Sequence, residues 1–224
     1  MWDPTARRQF GAPLTAHPGT VYAVAFSPDG TVLASGGADY SLRLWDVASH
    51  RPLGAPLIGH HRSVVSVAFR PDGKLLATGG DDGIRLWDRA GRRLTTPPLT
   101  GHSGPVNWVA FGPRGTILAA ATEDGTLMWD LATRRLIGAP LTGHTGPVTR
   151  VAFNPDGTAI ATAGEDEYIH LWSVRLPYDP FSAVCEFAQC SLTMQEWQQY
   201  IPDEPYRQIC AQQGLDGRRP WFQQ

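Results

Sequence analysis

Residues 17–46, HPGTVYAVAFSPDGTVLASGGADYSLRLWD, decide the fold of this chain. Val21 to Phe26 is short, apolar and β-branched, which suits an inner strand. Pro28-Asp29-Gly30 is turn chemistry, because proline fixes φ and glycine admits φ > 0. Val32 to Ser35 predicts the next strand, and Gly36-Gly37-Ala38-Asp39 a tight turn. Ser41 to Trp45 alternates, with Leu42 and Leu44 on one face and Ser41, Arg43 and Trp45 on the other. Arg51 to Leu57 carries Pro52 and Pro56, so it reads as an edge strand.

The same unit recurs along the chain, and a repeat of this length governs the fold. Trp45-Asp46, Trp87-Asp88 and Trp129-Asp130 each close a segment, with Trp172-Ser173 as the fourth. His17, His60, His102 and His144 recur upstream, and Val21, Val64, Val106 and Val148 follow them. Val-Ala-Phe-x-Pro-x-Gly appears four times, beginning at Val24, Val67, Val109 and Val151.

These residues resemble the WD-repeat family over residues 1–174. The resemblance implies an all-β fold, a β-propeller of four WD-type blades ending near 45, 87, 129 and 172. It also implies a partial ring or half of an eight-bladed dimer, since seven blades at this period need roughly 290 residues. Met1-Trp2-Asp3 looks like the end of a preceding blade, and residues 7–14 match the outer strand at 51–57. Three arrangements compete: a piece of a larger protein, two chains joined into one ring, or four blades closing alone. An open arc would expose two apolar blade faces.

Each blade carries a His, a Ser or Thr, an Asp and a Trp: His17, Ser35, Asp39 and Trp45; His60, Thr78, Asp82 and Trp87; His144, Thr162, Asp166 and Trp172. Read as catalytic triads, they would need an exposed nucleophile and an oxyanion hole in several blades at once. In the family these residues form a buried hydrogen-bonded chain from Trp to Ser/Thr to His to Asp. Blade three has His102, Asp124 and Trp129 but Ala120 in place of the hydroxyl. Its chain is expected to break, costing about 1–3 kcal/mol for an unsatisfied partner. Blades two and three are one residue shorter between Asp and Trp than blade one, which implies a different turn.

The resemblance also assigns a partner-binding face. It flanks the first Val of each inner strand and the residue before each turn Asp: Thr20, Tyr22 and Ala38; Ser63, Val65 and Asp81; Pro105, Asn107 and Glu123; Pro147, Thr149 and Glu165. Three are acidic and none is basic, which favours a basic or polar segment of another protein or peptide, with Tyr22 and Val65 as apolar anchors. Arg7-Arg8, Arg51, Arg92-Arg93 and Arg134-Arg135 precede the outer strands, either guarding the edge or forming a basic stripe.

Composition narrows the function. The formal net charge is −2, which recruits no nucleic acid by field alone. No apolar run spans a membrane, the first residues lack a signal-peptide pattern, and a cytoplasmic location is expected. The three cysteines, Cys185, Cys190 and Cys210, lack a fourth ligand or a close His, so neither a metal nor another cofactor is expected.

Residues 175–224 change character and read as a helical C-terminal tail. Asp179-Pro180 opens residues 181–188, and the Thr193-to-Glu196 capping box opens a helix that ends at Pro202. Residues 203–213 read as a further helix ended by Gly214. Trp197, Tyr200 and Ile201 form an apolar face. Cys185, Leu192-Thr193, Glu196-Trp197, Tyr200, Pro202, Tyr206 and Cys210 resemble the C-terminal end of bacterial WD-repeat proteins, many of them STAND-type signalling ATPases. There the propeller is a sensor and an upstream NTPase the switch. This chain has no phosphate-binding loop, so it is not itself the ATPase. The expected function is a non-catalytic interaction scaffold or sensor, with self-association into a dimer. The alternatives are a propeller enzyme, or a nucleic-acid-binding module using the arginines.

Overall fold

A computed structural model describes residues 2–3, 8–9, 12–89 and 99–174. Contacts divide the chain into two compact units, residues 1–174 and 175–224. The helices expected in the tail, its three cysteines, Arg7, Arg92 and Arg93 lie outside the described residues.

The first unit is all-β. A blade begins with an inner strand ending in Ala-Phe, turns at the Pro-x-Gly segment, and meanders outward through two more antiparallel strands. Blade one comprises β3 (Val21–Phe26), β4 (Val32–Gly37) and β5 (Ser41–Asp46). Blade two holds β8 (Val64–Phe69), β9 (Leu75–Gly80) and β10 (Gly83–Asp88). Blade three holds β11 (Val106–Phe111), β12 (Ile117–Thr122) and β13 (Gly125–Asp130). Blade four holds β15 (Val148–Phe153), β16 (Ala159–Gly164) and β17 (Ile169–Ser173).

The second strand of blade one runs two residues further than Ser35, through Gly36 and Gly37. These glycines continue the ladder, Gly36 opposite Leu42 and Gly37 opposite Val21. They are there because a neighbour comes close, not because the chain turns. A Cβ on Gly36 would lie 2.9 Å from Cβ of Val64 in the next blade.

The outer edge also departs from the expected single strand over 51–57. It is split into β6 (Arg51–Pro52) and β7 (Leu57–Ile58), both paired with β5. Pro52 and Pro56 lack the N–H a continuous ladder needs. Gly54 sits between them at φ +76°. In blade three the outer strand is β14 (Arg135–Leu136), against Trp129 and Asp130. Near the N-terminus β1 (Trp2–Asp3) pairs with β2 (Arg8–Gln9) in the same Trp-Asp register.

Blades stack through their inner strands. β3 and β4 pack on β8, β8 and β9 on β11, and β11 and β12 on β15. Leu42, Leu44, Val64, Val67 and Leu76 share one buried cluster between blades one and two. Ile84, Leu86, Val106, Val109 and Leu118 share the next. Among the described residues no helix is long and apolar enough to cross a membrane.

Candidate partner-binding face and its hydrogen-bonded supports

The face is positioned by side chains buried behind it. In blade one, Trp45 Nε1–H donates to Ser35 Oγ at 2.8 Å, Ser35 Oγ lies 2.7 Å from His17 Nε2, and His17 Nδ1 lies 2.9 Å from Asp39. An indole only donates and a carboxylate only accepts, which sets the polarity: Ser35 donates to Nε2, and Nδ1–H donates to Asp39. Blade two repeats it. Trp87 donates to Thr78 at 2.8 Å, Thr78 lies 2.6 Å from His60, and His60 lies 2.5 Å from Asp82. Blade four has the same chain at 2.9, 2.9 and 2.8 Å through Trp172, Thr162, His144 and Asp166.

The aspartates close the loop onto the His segment. Asp82 accepts from the His61 N–H, and Asp166 from the Thr145 N–H. Burial works to raise Asp166, but the bonds from His144 and the backbone N–H groups of Thr145 and Tyr168 outweigh it and hold its carboxyl at about 2. Asp39 and Asp82 are lowered by the same balance, with burial opposing and the histidine bond prevailing. A guanidinium adds support in the first two blades: Arg43 lies 3.5 Å from Asp39, and Arg85 2.8 Å from Asp82. Blade four has His170 at that register, edge-on to His144 with centroids 4.4 Å apart.

Blade three lacks this chain but does not leave its indole unsatisfied. Ala120 stands opposite Val109, where Ser35, Thr78 and Thr162 stand opposite Val24, Val67 and Val151. Trp129 Nε1–H donates instead to the Thr100 carbonyl at 2.9 Å. His102 turns toward the Gly104 carbonyl at 3.3 Å, and Asp124 accepts from Ser103. The expected penalty for an orphaned tryptophan is thereby avoided.

The two turn lengths have a backbone cause. Blades one and four turn through Tyr40 at φ +63° and Glu167 at φ +67°. The shorter turns of blades two and three use Gly83 at φ +104° and Gly125 at φ +124°. A Cβ on Gly83 would meet His102 Nε2 at 2.8 Å.

Within each blade the face residues are brought side by side. The Thr20 carbonyl accepts from Ala38 N–H at 2.8 Å, and the Pro147 carbonyl from Glu165 N–H at 3.0 Å. Each inner strand shifts register at one place: between Val21 and Ala23, Val64 and Ser66, Val106 and Trp108, and Val148 and Arg150. The extra residues are Tyr22, Val65, Asn107 and Thr149, and a bulge re-aims its side chain. Thr20, Tyr22, Asp81, Glu123 and Glu165 are exposed; Ala38, Ser63, Val65, Pro105, Asn107, Pro147 and Thr149 are half-buried.

Sequence reasoning missed three features of this unit. Arg150 places its guanidinium 4.5 Å over the Trp108 ring, next to Asn107 and Thr149 in sequence, which brings a cation beside a set of residues read as mildly acidic with no basic member. The aspartates of two Trp-Asp pairs cap the following turn: Asp46 accepts from Ser49 N–H at 2.7 Å, and Asp130 from Thr133 N–H at 2.6 Å. The Trp-Asp-x-x-Ser/Thr spacing was the available signal. Arg51 and Arg135, both exposed, stand opposite Asp46 and Asp130 across the ladder, so each cation has a carboxylate-bearing residue as its cross-strand neighbour.

The ligand atoms of His144, Asp166 and His170 lie within 4.8 Å of one another, a spacing a metal ion could span. Both His144 nitrogens already serve Asp166 and Thr162, so a metal would have to break the chain that holds the blade.

Four stretches, residues 8–46, 52–88, 91–130 and 136–173, match the family described as WD domain, G-beta repeat. The chain belongs to the WD-repeat family. Those matches cover well over half of its length, and each ends at a Trp-Asp or Trp-Ser pair. No curated protein matches the chain. WD-repeat domains generally mediate protein–protein interaction and are typically non-enzymatic scaffolds.

Proposed function

We propose that this WD-repeat chain is a non-catalytic interaction module that holds a basic or polar segment of another protein on the face running from Thr20 to Glu165. One observation carries the reading. In blades one, two and four the recurrent His, Asp, hydroxyl and Trp satisfy one another, while the side chains they support differ from blade to blade. Asp81, Glu123 and Glu165 supply exposed acidity, and Tyr22 supplies exposed aromatic area. The same reading makes the module the sensor of a bacterial, cytoplasmic signalling protein, supported by the resemblance of its tail.

The test is fluorescence anisotropy with a labelled ten-residue peptide of alternating Lys and Ala, against its Glu-Ala counterpart. The Lys-Ala peptide should bind more tightly, and the triple change Asp81→Ala, Glu123→Ala and Glu165→Ala should weaken it at least tenfold. Arg51→Ala with Arg135→Ala should leave it unchanged. Equal binding of both peptides, or indifference to the triple change, refutes the proposed face.

A further inference from the structure

Among the described residues, blades one and four each leave one sheet face uncovered, and these faces are the two halves of a junction formed repeatedly between the described blades. Where blades meet, the inner-strand valines of one blade press on the second and third strands of the blade before it, as Val64 and Val67 press on Ala34, Leu42 and Leu44. On blade one the equivalent valines are Val21 and Val24. Val24 is 63% exposed, whereas Val67, Val109 and Val151 are 6%, 1% and 2% exposed. On blade four, Leu171 stands where Leu44, Leu86 and Met128 stand. It is 77% exposed against their 7%, 8% and 7%. Phe26 and Ile169 extend the same two faces and are also exposed.

We infer that these faces bind each other between two copies of this chain, head to tail, so that two chains complete one ring of eight blades with two identical seams. The occupant of each face must present the opposite face, and this chain carries one of each. One additional copy therefore covers both, and two like faces pressed together would not reproduce the internal junction. Eight blades lie within the range propellers adopt.

The local fit supports the match. Val64 and Val106 seat against Gly36 and Gly79, where a Cβ has no room. Blade three has Ala121 at that register, and Ala121 and Val148 are both fully buried at its junction with blade four. Blade four presents Ala163 at the same register, so Val21 of the second copy meets a seat of a size already used. Uncovered apolar faces of this kind mark association sites. A head-to-tail contact either closes into a ring or grows into a filament, and this distinction makes the inference testable.

The experiment is light scattering on the full 224-residue chain during size-exclusion chromatography. The expected species has twice the 24.4 kDa chain mass. Val24→Asp and Leu171→Asp should each reduce it to the chain mass while keeping the far-ultraviolet β-spectrum, since both side chains are exposed in the single chain. An equimolar mixture of the two variants should regain the doubled mass, because a mixed pair retains one unaltered seam. Wild-type chain at the single mass, polydisperse heavier material, or a dimer indifferent to both substitutions overturns the inference.

Discussion

Trp129 donates its indole N–H to the carbonyl of Thr100, whereas Trp45, Trp87 and Trp172 donate theirs to a Ser or Thr hydroxyl. The difference follows from the methyl of Ala120 at the place of that hydroxyl. Ala120→Ser should restore the missing relay by giving His102 and Trp129 a shared partner. The expected gain is about 1 kcal/mol, the net worth of an added buried hydrogen bond. For a unit of this size that raises Tm by roughly 2–4 °C in a thermal melt followed by circular dichroism. A lower Tm would mean that His102 cannot turn back from Gly104.

Asp82 accepts from His60, the His61 N–H and Arg85, whereas Glu123 is exposed on the face. Asp82→Ala leaves several donors without an acceptor and should cost about 3 kcal/mol or more, the scale for breaking a buried charged pair. Glu123→Ala should stay within about 0.5 kcal/mol of the parent. Urea denaturation of the two variants compares them directly, and equal midpoints would refute a structural role for Asp82.

Acid should loosen blade four through Asp166. Its folded value of about 2 lies below the ordinary 3.8, so its contribution is complete above about pH 4 and disappears as the pH falls through 2. Asp39 and Asp82 are depressed in the same direction and add to the same acid limb. Tm measured from pH 5 to pH 2 should therefore fall with decreasing pH. Asp166→Asn should start lower at pH 5 and fall less steeply. Parallel curves for the two proteins would contradict this assignment.

Gly79 meets the neighbouring blade so closely that an added Cβ would lie 2.8 Å from Val106 Cγ1 and 3.2 Å from Val109 Cγ1. Gly79→Ala should destabilise by about 1–3 kcal/mol, the range for overpacking a core. Pairing it with Val106→Ala should cost less than the sum of the two single changes, because the second change makes the room the first one needs. Strict additivity in the four-member cycle would show that the blades do not interlock at this point.

Much of this protein was legible in its sequence, and the reason is its repetition. One blade's strand-and-turn grammar, stated four times, identifies each strand even where a single copy is ambiguous. The His, hydroxyl and Asp positions keep their spacing to one another in every blade, so the Ala120 exception could be read as well. The role of Gly36 and Gly37 was misread, because a glycine that makes room for a neighbour and one that makes a turn have the same letter. Only the neighbours tell them apart: Val64 of the next blade beside Gly36, and the Thr20 carbonyl beside Gly37. The bulges that re-aim Tyr22 and Asn107 were equally hidden, since a register shift is a property of two paired strands. Sequence by itself determined the repeat, the β-class and the spacing of the polar residues. Tertiary structure decided where Trp129 finds its acceptor, that Arg150 lies over Trp108, and that Val24 and Leu171 remain uncovered. Each of these depends on residues far apart in the chain, 29 positions for Trp129 and Thr100 and a whole blade for Arg150 and Trp108, and local spacing along one strand does not encode them.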